Sequence, residues 1–310
     1  MIDWDNFKPV TPTFTGTKIF DTFSLSEIAE YIDWQPFFIA WEMHGKFPAI
    51  LSDEIIGKEA TKLYDDANKL LKQIIDEKWL NPRGAIGFWP ANKVAADTVD
   101  VLEDKEVIKL EFLRQQIKKA PGQPNLSLAD FIAPAEKNYQ DYIGAFAVTI
   151  EGIEPHIKKF EKNLDDYNKI ILQALADRLA EAFAELLHKK TRQEYWGYVA
   201  EEHLTNEQLI KEEYLGIRPA PGYPACPDHT EKCKLFELLG GKEATGITLT
   251  ESLAMYPASS VSGWYFANLE SKYFGVGKIE KDQVVDYAQR KQMPLEDIER
   301  WLRPVLEYDA

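Results

Sequence analysis

Residues 53–79 constrain the fold most. Ile56, Ala60, Leu63, Ala67, Leu70 and Ile74 recur at spacings of 4, 3, 4, 3 and 4. At 3.6 residues per turn they make one apolar stripe, which predicts an amphipathic helix that must bury this stripe against another element. Asn81-Pro82 stops it, because proline disfavours helical geometry at the residue before it. Short apolar runs at 85–89, 98–102, 107–110 and 144–150 then read as strands, as do 247–252, 261–266 and 273–279. Ser24 with Glu27 makes a capping box for a short helix through Tyr31, and Thr205 with Gln208 caps another. A second long helix is predicted over 164–196. Others are predicted over 229–239, ending at Gly240-Gly241, over 281–291, and over 295–302 with Pro294 at its first position. The aromatic segment 32–43 reads as a buried strand or extended stretch. Residues 1–23, rich in Thr, Pro and Asp, have no sustained period and read as an extended surface leader. Helices and strands do not alternate one for one. The expectation is therefore an α+β fold, with a single domain over 24–310 and a twisted, mainly antiparallel sheet flanked by helices.

Composition narrows the function. The 310 residues carry 36 basic and 51 acidic side chains, a net charge of −15. Such an acidic chain is a poor non-specific ligand for nucleic acid or anionic membrane, and it suits a small molecule or a protein partner. No apolar run approaches the roughly 18 residues of a membrane span. The first ten residues have no signal-peptide pattern. Two cysteines make no disulfide framework, so a reducing cytoplasm is expected. The chain has no phosphate-loop motif, no H-E-x-x-H, no G-x-S-x-G and no G-x-G-x-x-G. Gly275-Val-Gly277 is a lone G-x-G.

Three places could carry chemistry. Residues 218–227 hold four prolines and one glycine, so they form irregular loop. Within them, Arg218-Pro-Ala-Pro-Gly-Tyr-Pro224 is stiff and could present an arginine and a tyrosine at low entropic cost. A guanidinium suits a carboxylate because its planar fork binds in two places. The same residues also suit a rigid surface turn with an ordinary ion pair. On the second long helix, Asp177 and Glu181 share a face opposite Leu175, Leu179, Ala182 and Leu186. Ala174, Ala180 and Ala184 lie around them. That face could admit a close partner or simply be solvated. Cys226, His229 and Cys233 are spaced C-x2-H-x3-C without a fourth ligand, which falls short of a structural zinc motif and predicts no metal site.

The segment Arg218-Pro-Ala-Pro-Gly-Tyr-Pro-Ala-Cys-Pro-Asp-His-Thr-Glu-Lys232 closely resembles the signature of the activation domain of cobalamin-dependent methionine synthase. Tyr31-Ile-Asp-Trp34, Asn81-Pro-Arg-Gly84, Asp141-Tyr-Ile-Gly-Ala-Phe146, Tyr195-Trp-Gly-Tyr198 and Val261-Ser-Gly-Trp-Tyr-Phe266 resemble that family too, in collinear order. The resemblance implies a domain that binds S-adenosylmethionine and caps cobalamin held by a partner module. With an electron from a flavodoxin-like donor, inactive cob(II)alamin is then methylated back to its working form. It implies that Asp33 meets the amino group of the ligand, Arg218 its carboxylate, and Ala220 offers backbone contacts. Tyr273 and Phe274 stand for a Tyr-Tyr pair beside the nucleoside, so any role of the second hydroxyl is absent here. Tyr223, Asp177 and Glu181 are implied to face the cobalamin module. Lys189, Lys190 and Arg192 are candidate basic residues for an acidic electron donor. The modules for folate, homocysteine and cobalamin are expected to precede this domain in a full-length enzyme or to lie on a separate subunit, with residues 1–23 as an interdomain connection. No residue is expected to be catalytic in the isolated chain. The competing expectation is a protein-interaction module that has lost its ligand.

Overall fold

The computed structural model describes residues 2–309; Met1 and Ala310, the outer ends of the two predicted segments, lie outside the described residues. The sheet is built around β2 (Asn81–Lys93) and β5 (Asp141–Glu151), which pair antiparallel from Asn81↔Glu151 to Ala91↔Asp141. The other edge of β2 is shared. β1 (Gly16–Phe20) pairs with its first half and β3 (Thr98–Glu103) with its last residues. β4 (Glu106–Glu111) extends the sheet beyond β3, and a late strand, Ser260–Tyr265, extends it beyond β5. Every pairing between these strands is antiparallel, as an α+β chain with clustered strands requires.

Side chains alternate across the sheet with a period of two, so each strand feeds two cores. Ile86, Phe88, Phe146, Val148 and Ile150 enter one core, together with helices α1 (Leu25–Ala29), α2 (Gln35–Ala40), α3 (Gly57–Asp76), α4 (Ile153–Lys162) and α5 (Asp166–Lys190). Ala85, Trp89, Ile143, Ala145 and Ala147 enter the other. After α6 (Asn206–Ile210), helix α7 (Glu231–Leu238) covers that second face with Leu235 and Phe236. The short helix α8 (Gly241–Thr245) follows, then a small ribbon of β6 (Thr248–Leu249) and β7 (Met255–Tyr256), then β8 (Ser260–Tyr265). Helices α9 (Lys281–Lys291) and α10 (Leu295–Leu302) pack Val284, Tyr287, Ile298 and Leu302 into a third, smaller cluster.

The stripe on α3 is buried as its spacing requires, with Ala60, Ala67 and Ile74 inaccessible to solvent. Burying a side chain of that kind as large as leucine or isoleucine is worth roughly 1.5–3 kcal/mol. Ser24 accepts from the Glu27 amide and Thr205 from the Gln208 amide, but the reciprocal bond of a full capping box forms only at Thr205, because the Glu27 carboxylate pairs with Lys190 instead. Five other local expectations need correction. Residues 32–43 contain helix α2, not a strand. Pro36 sits in its first turn, and adjacent Phe37 and Phe38 are both buried, so the helix mimics a continuous apolar run. Residues 16–20, read as leader, are an edge strand whose mostly exposed side chains leave no alternation to detect. The long helix is shorter at both ends. Leu164 takes φ +54, Asp165 caps α5, and a π-helical turn at Thr191–Tyr195 follows it. Residues 273–279 form no strand and are held by single bonds such as Val276 N to the Pro224 carbonyl. Pro294 stands at the N-cap of α10, one position before the place expected for it.

Candidate functional site

The site begins where the chain returns to the free edge of β8. Ile217 and Phe266 exchange two backbone hydrogen bonds of 3.1 and 3.0 Å, and Trp264 donates to the Pro219 carbonyl at 2.9 Å. Ile217 points into the core with Phe266. Strand alternation then turns Arg218 to the opposite face, toward α5. There its Nη2 donates to Glu185 Oε2 at 2.9 Å. Burial works against the guanidinium charge, but Glu185, Tyr214, Tyr273 and Glu181 together outweigh it and hold the group well above its ordinary pKa. Arg218 Nε and Glu185 Oε1 are buried without a partner. The pair is therefore fixed through one bond and leaves a donor unfilled.

The loop beyond Arg218 is tied to itself. Tyr223 N donates to the Ala220 carbonyl, Cys226 N to the Tyr223 carbonyl at 2.9 Å, and Gly222 N to the Cys226 carbonyl at 2.7 Å. Gly222 takes φ +94, and a Cβ there would lie 2.2 Å from the His229 ring, so only glycine fits. Tyr273 braces the start of the loop. Its hydroxyl accepts from the Arg218 amide at 3.0 Å and meets the Tyr214 hydroxyl at 3.1 Å.

Two grooves meet at Arg218. The larger, about 630 Å³, is lined by Arg218, Ala220, Tyr223, Tyr273 and Phe274. The smaller, about 290 Å³, is lined by Asp33, Arg178 and Glu185. Arg218, Glu181 and Glu212 belong to both. Asp33 lies just before α2, where its Oδ1 accepts from the Gln35 amide at 2.9 Å. Residues distant in sequence thus line two adjoining grooves, together a depression around Arg218: Ala220, Tyr273 and Phe274 in the larger and Asp33 in the smaller.

Asp177 and Glu181 part company. Glu181 faces Arg218, whereas Asp177 accepts from Ser259 Oγ at 2.6 Å and lines a separate pocket beside α4. Ala180 and Ala184 are buried, so they do not border an open acidic face. The next acid on the same spacing, Glu185, escaped sequence reasoning although it continues the Asp177, Glu181 series by one more turn. Glu212 also escaped; its φ of +56 had no local signature. The basic residues at the end of α5 make no free patch. Arg192 is fully buried against Glu202, with Lys189 on the Tyr31 hydroxyl and Lys190 on Glu27. Cys226 is buried and Cys233 exposed.

Chemically, the depression offers a guanidinium, carboxylates from Asp33, Glu181 and Glu212, and an aromatic edge from Tyr273 and Phe274. A zwitterionic head with a flat apolar group attached matches that set.

Comparison with known proteins agrees. Residues 24–292 match the family described as vitamin B12 dependent methionine synthase, activation domain. Among solved structures, the chain resembles a MetH reactivation domain bound to AdoHcy, at 50% identity and a TM-score of 0.94. The match covers 100% of this chain and 96% of that one. The chain belongs to the family of vitamin B12-dependent methionine synthase activation domains.

Proposed function

We propose that this activation domain binds S-adenosylmethionine in the depression around Arg218 and presents its methyl group to cobalamin carried by a partner module. One observation carries the reading. Arg218, anchored by Glu185 through one nitrogen and still partly exposed, shares its groove with carboxylates and an aromatic edge. The bound AdoHcy of a relative 50% identical over the whole chain supports it.

In this reading Arg218 takes the ligand carboxylate and Asp33 its amino group. Ala220 offers backbone contacts, and Tyr273 and Phe274 flank the nucleoside. Glu181 faces the positive part of the ligand, the ammonium or the sulfonium, and not only the partner module. Tyr223 is 63% exposed on a self-tied loop at the groove mouth, which suits contact with a flat corrin. Asp177 lies one turn from Glu181 on the same side of α5 and would meet the same module. When bound there, cobalamin supplies the cobalt that accepts the methyl group. This chain's residues hold the donor and exclude water. The isolated chain therefore has no turnover and acts only as part of the methyltransferase. A flavodoxin-like protein would supply the electron, at a surface other than the end of α5. No helix among the described residues is long and apolar enough to cross a membrane, and a cytoplasmic location fits the reading.

Calorimetric titration of wild type and Arg218→Ala with S-adenosylmethionine tests this. Loss of a charge-assisted hydrogen bond costs about 1.5–3 kcal/mol, or roughly tenfold to more than a hundredfold in Kd. Equal affinities would remove Arg218 from the site. An interaction module without a ligand would show no saturable binding even at millimolar concentration.

A further inference from the structure

We infer that helix α9 is a positioning element for the ligand loop, acting through Asp228. Cys226 closes the loop through its bonds to Tyr223 and Gly222, and Asp228 follows two residues later. Asp228 is 1% exposed, yet it accepts from four donors. Two are local, the Thr230 amide at 2.8 Å and hydroxyl at 2.7 Å. The other two come from α9, the Tyr287 hydroxyl at 2.8 Å and Lys291 Nζ at 2.6 Å. Tyr287 and Lys291 are four residues apart, so they project from one face of the helix.

The same ammonium also holds Glu231 Oε1 at 2.7 Å, at the start of α7. Glu231 is inaccessible to solvent and its Oε2 has no partner. Lys291 is thus shared by two buried carboxylates, with Lys234 adding a 3.5 Å ion pair to Glu231, and burial of the carboxylates without Lys291 would be costly. The arrangement has more than local reach because α9 is itself fixed. Arg290 donates to Glu111 Oε2 at 2.6 Å and to the Phe112 carbonyl at 3.1 Å. Gln283 Oε1 accepts from the Arg114 amide at 2.8 Å. The end of β4 therefore holds α9, α9 holds Asp228, and Asp228 fixes the distal end of the loop whose proximal end carries Arg218. Neither Tyr287 nor Lys291 lines the groove, so their effect on a ligand is indirect.

The inference rests on the groove being an S-adenosyl site, and the test separates the two. Tyr287→Phe deletes the bond to Asp228 at 2.8 Å, together with the longer 3.3 Å bond to the Glu111 carbonyl, and keeps the ring in its core. Lys291→Met removes the ammonium. Amide hydrogen exchange of the free protein reads the loop without any ligand. Exchange at Gly222 and Cys226 is expected to accelerate at least fivefold in Tyr287→Phe, with Phe146 in β5 unchanged. Calorimetry with S-adenosylhomocysteine is expected to show a threefold to tenfold weaker Kd for Tyr287→Phe and a larger loss for Lys291→Met. If Lys291→Met does not fold, Tyr287→Phe decides alone. Unchanged exchange at the loop, acceleration spread equally into β5, or a faster loop with unaltered Kd would each overturn the inference. If wild type fails to bind, the S-adenosyl reading fails, while exchange still decides whether α9 anchors the loop.

Discussion

His188 lies buried between Tyr265, stacked at 5.3 Å, and Tyr214, edge-on at 4.7 Å, with neither ring nitrogen bonded. Burial drives its pKa well below the ordinary value, and Arg192 and Arg218 push the same way. The folded state therefore keeps a neutral ring, whereas the unfolded chain takes up a proton near pH 6.5. The resulting contribution to stability is present above that pH and is lost as pH falls below it, at about 1.4 kcal/mol per unit. Urea unfolding at pH 7.5, 6.5 and 5.5 should show His188→Phe losing about 1 kcal/mol less than wild type over the last unit, where the unfolded ring is still only partly protonated. Parallel pH dependence of the two proteins would mean that His188 is protonated in the fold. At this scale the sequence was partly legible. Arg218 stood out because prolines surround it. Its partner Glu185 did not, since a carboxylate on a helix is usually solvated and only the fold reveals burial. Arg192 misled for the same reason: a cation near a helix end reads as exposed, and Glu202 takes it inside.

Strand β8 carries the ligand loop, and Gly263 sets how closely the two approach. A Cβ there would lie 2.9 Å from the Pro219 carbonyl and 2.9 Å from Phe146 Cε1. A carbonyl in a bonded loop cannot yield as a flexible side chain can, so Gly263→Ala should push the loop off the strand. It would loosen the 2.9 Å bond from Trp264 N to Pro219 O. Overpacking of this kind costs about 1–3 kcal/mol. Thermal unfolding should record that loss, and S-adenosylhomocysteine should bind about tenfold more weakly. An unchanged melting temperature and Kd would show that the loop has slack. Helix α3 was readable from its period, and the middles of β2 and β5 from their continuous apolar runs, because burial alone decides them. The failures had a common cause. Helix α2 is too short and too apolar for a period, β1 is an edge with exposed side chains, and residues 273–279 are ordered by tertiary bonds and not by their own pattern.

For the whole molecule, the class followed from helices and strands that do not alternate one for one. The two cores on either side of one sheet leave the edge at β8 as the place where loop, α5 and the segment before α2 converge. Sequence spacing cannot show that convergence: Asp33 and Arg218 come together because α5 packs against both β5 and β8 and also against α2. Motif resemblance supplied what geometry could not, namely the ligand. A crystal structure of the chain grown with saturating S-adenosylhomocysteine tests the central claim most directly. The expected result is one ligand per chain in the depression, its carboxylate within hydrogen-bond distance of the Arg218 guanidinium and its amino group toward Asp33 and Glu181. A ligand bound elsewhere, or a depression empty at saturation, would contradict it.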